Sequence, residues 1–413
     1  MTTLLEVCEL IVDSEHKTAP KSEAGFPLVR TTDIGRGRLD LSNVQRVDKA
    51  TYDQWTRRAV PVEGDLILAR EAPVGNVAVV TEGIRPVLGQ RTVLIRPDDS
   101  QVDSTYLCYR LLGADVQHWM NAVANGATVP HLNMSDIREL PLGELPEMEL
   151  QGRIGTALAD IDDLIENNRR RIEILEEMAR LLYREWFVHY RFPGHEDVEL
   201  IDSELGPIPE GWKVTSLQEE SNLLKSNVKP QDFPDEDFAH FSIPALDEAH
   251  HPAIEPGADI KSGKYLVRQE SVLLSKLNPR FPRVWRVTPP TSTRSIASTE
   301  FLVIEDNGGW PLPFLYGVCS SDSLSGRLTA MAGGTSTSHQ RVKPGDVVAL
   351  PLVGPSTEVV DRYSTIATPM LDLADNLRDQ NKTLTAARDL LLPRLVSGEL
   401  DVSEIDLELE AVG

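Results

Sequence analysis

The chain contains two long stretches in which apolar residues are separated by alternating steps of three and four positions. This spacing forms the a/d seam of a coiled coil, because residues three and four apart share one face of a helix. It predicts two long helices, the second ending at Pro393, since proline breaks the helical hydrogen-bond ladder. The seam residues are Leu158, Ile161, Ile165, Asn168, Ile172, Leu175, Ala179, Leu182 and Trp186 in the first stretch and Ile366, Met370, Leu373, Leu377, Gln380, Leu384, Ala387 and Leu391 in the second.

Each seam carries one amide, Asn168 or Gln380. A polar residue in an apolar seam tends to fix helix register and partner at some cost in stability. The alternative is that both segments are ordinary core helices of one globule. A single apolar stripe sustained for four heptads favours a protruding helix pair instead.

The segments outside the helices are short apolar runs broken by Gly and Pro, which is typical of strands joined by turns. Three of these segments recur in the same order at an offset of 206 to 210 residues: 64–70 with 270–276, 125–131 with 333–339, and 136–142 with 346–352. A shared order at a nearly constant offset indicates a duplication. We therefore predict an α+β protein made of two pseudo-repeated mixed α/β domains, each followed by a long helix.

The composition of the 413 residues is that of a globular protein, with 41% apolar and 25% charged residues. No long apolar run and no export signal are present in the sequence, so we expect a cytoplasmic protein without membrane contact. The net charge of −23 argues against an extended surface for nucleic acid, so any basic surface must be local. Residues 261–294 are such a segment, with eight basic residues and one acidic residue.

The sequence shows no spaced set of nucleophile, base and anion-binding residues that would indicate a catalytic site. Asp235, Asp259 and Lys261 loosely match the two acids and the lysine of a metal-dependent nuclease, in which carboxylates hold Mg²⁺. Solvated loop residues explain the same pattern. A nuclease thus stays open as an alternative, and so does a coiled-coil scaffold without DNA readout.

Other features suit DNA binding, because Arg and Lys neutralise phosphates and pair with guanine edges. The basic segment interleaves such residues with Phe281 and Trp285, and two Gly-rich loops with hydroxyl groups end in histidine. A solvated basic face is the alternative interpretation. The candidate residues are Arg36, Arg38, Arg70, Thr128 and His131 in the first domain and Lys276, Arg280, Arg283, Arg286, Ser336 and His339 in the second.

Three motifs make the chain resemble the specificity subunit of type I restriction–modification systems. They are Leu182-Tyr-Arg-Glu-Trp-Phe187 leading to Phe192-Pro-Gly-His195, then Leu205-Gly-Pro-Ile-Pro-Glu-Gly-Trp212, and finally Arg388-Asp-Leu-Leu-Leu-Pro-Arg-Leu-Val-Ser-Gly-Glu-Leu400. The resemblance covers nearly the whole chain. It implies target-recognition domains at 1–145 and 193–355, a central helical region at 146–192, and a distal helix with an acidic tail at 356–413. The two helices would pack as an antiparallel coiled coil.

The resemblance also implies a function and partners. Each recognition domain would read one half of a bipartite double-stranded DNA site and direct adenine methylation by two methyltransferase subunits docked on the helices. Motor-nuclease subunits would join for cleavage. The chain itself would be non-catalytic and without a cofactor, since S-adenosylmethionine belongs to the methyltransferase and ATP and Mg²⁺ to the motor-nuclease.

Overall fold

The short apolar runs of the sequence form several strands of the first unit. The structure, a computed structural model, describes residues 2–126, 129–333 and 340–400. The first unit comprises the described residues up to Asn167 together with those from Gln380 onward. Its strands are β1 (Thr2–Thr3), β2 (Cys8–Asp13), β3 (Phe26–Val29), β4 (Gln45–Val47), β5 (Leu66–Ala69), β6 (Val77–Val79), β7 (Val87–Leu88), β8 (Thr92–Pro97) and β9 (Pro141–Gly143). Its helices are α1 (Lys49–Trp55), α2 (Ser104–Leu112), α3 (Ala114–Val123), α4 (Met134–Arg138) and the first part of α5 (Met148–Tyr183).

The first unit is built on an antiparallel sheet of order β2-β8-β5-β6. Its central strand β5 is apolar and buried throughout, because both of its faces are covered. Tyr106 and Leu107 of α2 pack on one face. A second sheet of order β4-β3-β7 contains one parallel pair, β3 with β7.

The second unit comprises Asn168–Asp379. Its strands are β10 (Leu200–Ile201), β11 (Ile208–Pro209), β12 (Lys213–Thr215), β13 (Asn222–Leu223), β14 (Asn227–Val228), β15 (Asp237–Phe241), β16 (Ala253–Pro256), β17 (Lys264–Val267), β18 (Ser271–Ser275), β19 (Val284–Val287), β20 (Arg294–Ala297), β21 (Phe301–Glu305) and β22 (Leu352–Gly354). Its helices are α6 (Leu217–Glu220), α7 (Ile243–Ala249), α8 (Leu312–Ser320), α9 (Asp322–Met331), α10 (Pro344–Val348) and most of α11 (Thr357–Val396).

The second unit repeats the first. Its antiparallel sheet has the order β13-β21-β18-β19, which matches β2-β8-β5-β6 strand for strand. Its other sheet, of order β14-β17-β20-β15-β16, contains a parallel pair of β15 with β20 that corresponds to β3 with β7. The predicted duplication and the α+β fold class are therefore confirmed. Strands β14 and β17 extend the second sheet and have no counterpart in the described part of the first unit.

Segments of the two long helices run antiparallel within each unit. In the first unit, Asn381 of α11 bonds to the Ile165 carbonyl at 3.1 Å, and Arg388 pairs with Asp162 at 2.6 Å. In the second unit, Ile172 packs with Ala374 and Leu377. Residue numbers on α5 decrease as those of their partners on α11 increase, so the paired segments are antiparallel, as the resemblance implied. The division of the chain by role into four stretches stays a prediction.

The predicted seam of the first helix coincides with buried positions of α5. Ile161, Ile165, Asn168 and Ile172 are all less than 10% exposed. Leu175 and Leu182 are half-buried at the edges of apolar clusters.

The predicted seam of the second helix is partly wrong. Leu377 is buried, while Met370, Leu384 and Leu391 are half-buried. Leu373 is 38% exposed, and Gln380 is exposed as well. The positions that are buried instead are Val360, Tyr363, Ala367, Leu371 and Ala374. The reason is that this part of α11 also covers α8, whose Phe314 and Leu315 share a cluster with Tyr363, so the buried face is not a narrow two-helix seam.

The predicted end of the second helix at Pro393 is also wrong, because α11 continues to Val396. A proline near the last turn removes one backbone donor. Leu392, Leu395 and Val396 are buried in the core of the first unit, and this burial offsets the loss. None of the helices in the described part of the chain is long and apolar enough to cross a membrane.

An aromatic cluster in the second unit explains the Leu182–Phe187 motif. A π turn at Arg184–Val188 follows α5 and directs Trp186 and Phe187 inward. The Phe187 ring lies 4.8 Å from the ring of Phe314 and 5.2 Å from that of Tyr363, measured between centroids. The motif therefore anchors the end of α5 in the core.

Candidate nucleic-acid interface

A loop in each unit is closed by the same backbone pairing. In the first unit, Asn125 and His131 exchange two hydrogen bonds of 2.8 Å, and the Leu132 amide donates to the Arg70 carbonyl. In the second unit, Gly333 and Arg341 exchange bonds of 3.2 and 3.1 Å, and the Val342 amide donates to the Lys276 carbonyl. Arg70 and Lys276 therefore occupy equivalent positions beside the two loops, as their alignment in the sequence predicts.

Arg341, rather than His339, is the backbone equivalent of His131. His131 bridges to Glu71, and Arg341 bridges to Leu277 at the matching place after β18. The sequence alignment paired the wrong residue because the second loop is longer by two residues. The sequence contains a signal of this insertion: the offset between the two repeats increases from 208 residues at Asn125 to 210 residues at Asp136. The predicted contacts Thr128, Ser336 and His339 lie outside the described residues.

Lys276 and Arg280 lie together at the loop of the second unit. The Asn278 amide donates to the Gln340 carbonyl at 2.8 Å, which ties their segment to the loop. Burial lowers the pKa of Lys276 below its usual range, the Glu300 carboxylate opposes this shift, and the Arg341 charge adds to it. Arg280 is exposed, and its guanidinium lies 4.6 Å from the ring centre of Phe281. These groups form a local basic surface beside an exposed aromatic ring.

Arg283 and Arg286, also predicted to contact DNA, are engaged in ion pairs. Arg283 donates two hydrogen bonds to Asp247 at 2.7 and 2.8 Å. Arg286 is only 15% exposed and bonds to Asp372 and Asp375 of α11 at 2.7 and 2.6 Å. The structure therefore gives Arg286 the role of joining β19 to α11.

The candidates of the first domain are also spread over different environments. Arg36 donates to the Leu112 carbonyl at 3.3 Å, and Arg38 pairs with Asp163 of α5. Among these three arginines, Arg70 is the one that lies beside the loop. Sequence reasoning missed Arg91, which is 57% exposed and pairs with Glu71 beside this loop.

The residues of the nuclease alternative lie on exposed loops. Asp235, Asp259 and Lys261 are all exposed, and Lys261 donates to the Ala258 carbonyl at 3.0 Å. Across residues 2–126, 129–333 and 340–400, no three histidine, cysteine or acidic side chains come together as a metal site would require. The geometry therefore gives no support to the acid–acid–lysine arrangement.

Comparison with known proteins shows which family this chain is similar to. Residues 2–177 match the family described as the type I restriction modification DNA specificity domain. Over these residues the chain is similar to the DNA specificity domain of type I restriction–modification systems. The family prediction is thereby confirmed, and with it the prediction of a DNA-recognition subunit.

Relatives extend this likeness over most of the chain. The type I restriction enzyme MjaIX specificity subunit of Methanocaldococcus jannaschii is 25% identical over 401 residues, covering 94% of this chain and 87% of the relative. The HindI specificity subunit of Haemophilus influenzae is 21% identical, covering 76% of this chain and 81% of the relative. The crystal structure of the type I restriction–modification S subunit from M. genitalium has the same fold, with a TM-score of 0.61, 14% identity and 95% of each chain covered.

Proposed function

We propose that each repeated domain reads one half of a bipartite double-stranded DNA site, and that the chain thereby directs adenine methylation by bound methyltransferase subunits. One observation carries the proposal: the two units share one strand order, and each presents a loop closed by the same backbone pairing beside a basic residue. A repeated scaffold with different residues at equivalent loop positions is suited to reading two different half-sites. Arg70 and His131 stand in one unit where Lys276 and Arg341 stand in the other.

The proposed partners follow from the same organisation. Two methyltransferase subunits dock on the helical regions, and motor-nuclease subunits join the assembly for cleavage. The chain itself is non-catalytic and holds no cofactor; S-adenosylmethionine, ATP and Mg²⁺ act in the partner subunits. The proposal places the assembly in the cytoplasm.

Base-modification sequencing of the native genome tests this function. The expected result is one bipartite methyladenine motif that disappears when the chain is deleted and returns when it is restored. Exchange of the second recognition domain for that of another specificity subunit should change one half of the motif and leave the other half intact. Expression of the methyltransferase is measured in parallel.

Two results would contradict the proposal. An unchanged methylome after deletion, with the methyltransferase expressed, would favour a scaffold without DNA readout. Metal-dependent DNA cleavage by the purified chain, abolished by Asp259→Ala, would favour the nuclease.

A further inference from the structure

We propose that Arg341, held in place by Glu300, is a specificity-determining DNA contact of the second domain. This inference rests on the proposed function and deepens it. Arg341 was not recognised as a candidate from the sequence. Its position became evident only from the backbone pairing that makes it the counterpart of His131.

The side chain of Arg341 is oriented by a bidentate ion pair. Its Nε and Nη2 atoms donate to the two Glu300 oxygens at 3.1 and 2.8 Å. These bonds use one edge of the planar guanidinium, so the Nη1 edge points away from the carboxylate. No other partner of this side chain is found among the described residues, and the side chain is 56% exposed. Within the described part of the unit, this edge is therefore available to a ligand.

The backbone of Arg341 is also held in place, by hydrogen bonds to neighbouring segments. It exchanges hydrogen bonds with Gly333 and bridges to Leu277, and the neighbouring Val342 amide donates to the Lys276 carbonyl. The backbone of Arg341 thus lies beside the segment that carries Lys276. This is the part of the unit to which the closed loop belongs.

Stability is a poor explanation for the pair of Arg341 with Glu300, because exposed ion pairs contribute little to folding. Its physical effect is to hold the arginine in one orientation before DNA binds. An ordered side chain loses less conformational entropy on binding, so it discriminates better between bases. Arginine is the residue that most often reads guanine through its O6 and N7 atoms in the major groove.

The first unit also contains an arginine–glutamate pair beside its loop, formed by residues at other backbone positions. Arg91 corresponds to Glu300, because the Arg70 amide donates to the Arg91 carbonyl as the Lys276 amide donates to the Glu300 carbonyl. Arg91 pairs with Glu71, the residue after Arg70. An arginine held by a glutamate thus recurs beside both loops although different elements supply the two residues. This recurrence points to a role at the loop beyond packing.

The test uses the full-length chain assembled with its methyltransferase subunits. DNA affinity and the methylation rate are measured on the site found by genome sequencing and on duplexes changed one base pair at a time in each half. The variants are Arg341→Ala, Arg341→Lys and Glu300→Gln. Arg294→Ala is the matched control. Arg294 lies on β20 of the same unit and also forms an ion pair with a glutamate, Glu236, at 3.3 Å. Thermal unfolding of each assembly confirms that it is folded.

Arg341→Ala should reduce discrimination at one or two base pairs of the second domain's half-site by roughly 5- to 150-fold. The other half-site should be read as before. Arg341→Lys should restore the salt dependence of binding without restoring discrimination, because an ammonium is a point charge without the arginine fork. Glu300→Gln should lower discrimination with the arginine still present.

Three outcomes would overturn the inference. These are unchanged discrimination in Arg341→Ala, an equal loss of affinity at every duplex, and full restoration of discrimination by Arg341→Lys. A wild-type assembly that distinguishes none of the changed duplexes would contradict the proposed function itself. The two failures are therefore distinguishable.

Discussion

Arg388 of α11 donates a hydrogen bond from Nη1 to the Asp162 carboxylate of α5 at 2.6 Å, and Tyr109 Oη donates to the same carboxylate at 2.6 Å. Asp162 is 5% exposed. A carboxylate buried to this degree is stable only with partners that replace water. Asp162 therefore joins α2 of the first unit to both long helices through one side chain.

Loss of this carboxylate should destabilise the first unit. We expect Asp162→Ala to lower the free energy of unfolding by about 3 kcal/mol, because it leaves Arg388 and Tyr109 without their buried partner. The estimate is at the low end for a broken buried pair, since Arg388 keeps its contact with Asp389 at 2.8 Å. Urea unfolding of the full chain measures the change.

Asp163→Ala is the matched control on the same helix. Asp163 is 59% exposed and pairs with Arg38, so its removal should cost less than about 1 kcal/mol. Equal losses for the two variants would show that burial of Asp162 does not govern the stability of this contact.

The buried face of α11 can be tested with two leucines that are two positions apart. Leu371 is 3% exposed, whereas Leu373 is 38% exposed. We expect Leu371→Ala to lower the free energy of unfolding by about 2–5 kcal/mol, because it opens a cavity. The same change at Leu373 should cost about 0.5 kcal/mol. Urea unfolding of both variants measures this difference, and a larger loss for Leu373→Ala would restore the seam predicted from the sequence.

Periodicity predicted the existence of both helices but not which face of α11 is buried. Met370 and Leu373 were predicted to lie in the seam, yet Ala367, Leu371 and Ala374 are the residues buried in that part of α11. The predicted seam was chosen mainly from the spacing of large aliphatic side chains. Small residues can also be buried, at positions where helices approach closely. The amide that bonds to α5 is Asn381, one position after the predicted Gln380.

The duplication and the positions of Arg70 and Lys276 followed from the sequence because strand patterns repeat with the fold. The ion pairs at the loops could not be predicted. Glu300 and Arg341 are 41 residues apart, and they meet only through the pairing of β18 with β21 and of Leu277 with Arg341. Basic residues near one another in sequence were also separated by the fold. Arg286 faces α11, whereas Arg280 stays exposed.

Arg280 and Arg286 should behave differently on substitution. Arg280→Ala should leave stability nearly unchanged and reduce the salt slope of DNA binding by about one counterion, because an exposed guanidinium is suited to a phosphate contact. Arg286→Ala should lower the free energy of unfolding by about 1–3 kcal/mol, because it removes charged hydrogen bonds to Asp372 and Asp375. Urea unfolding and salt titrations of DNA binding by the assembled complex measure the two effects. A reduced salt slope in Arg286→Ala, together with an unchanged salt slope in Arg280→Ala, would show that Arg286, not Arg280, faces DNA.

His250 should make the stability of the second unit depend on pH. It ends α7 with a backbone φ of 54°, and its ring lies 6.0 Å from that of Trp285. Burial lowers the pKa of His250, and the charge of Arg378 lowers it further. Glu176 and Asp375 oppose the shift, and His251 adds to it. The folded protein therefore resists protonation at this site.

The sign of the pH effect follows from linkage. With its pKa lowered by folding, His250 binds a proton in the unfolded chain at a higher pH than in the folded one, so stability falls as the pH drops below about 6.5. His240 has a pKa lowered mainly by burial and contributes in the same direction. His250→Asn, which tolerates the positive φ, should therefore weaken the loss of stability between about pH 7 and about pH 5 without abolishing it. Urea unfolding across this range, with the exposed His16→Asn as control, measures the slope. A slope unchanged in His250→Asn would show that this histidine titrates alike in the folded and unfolded chains.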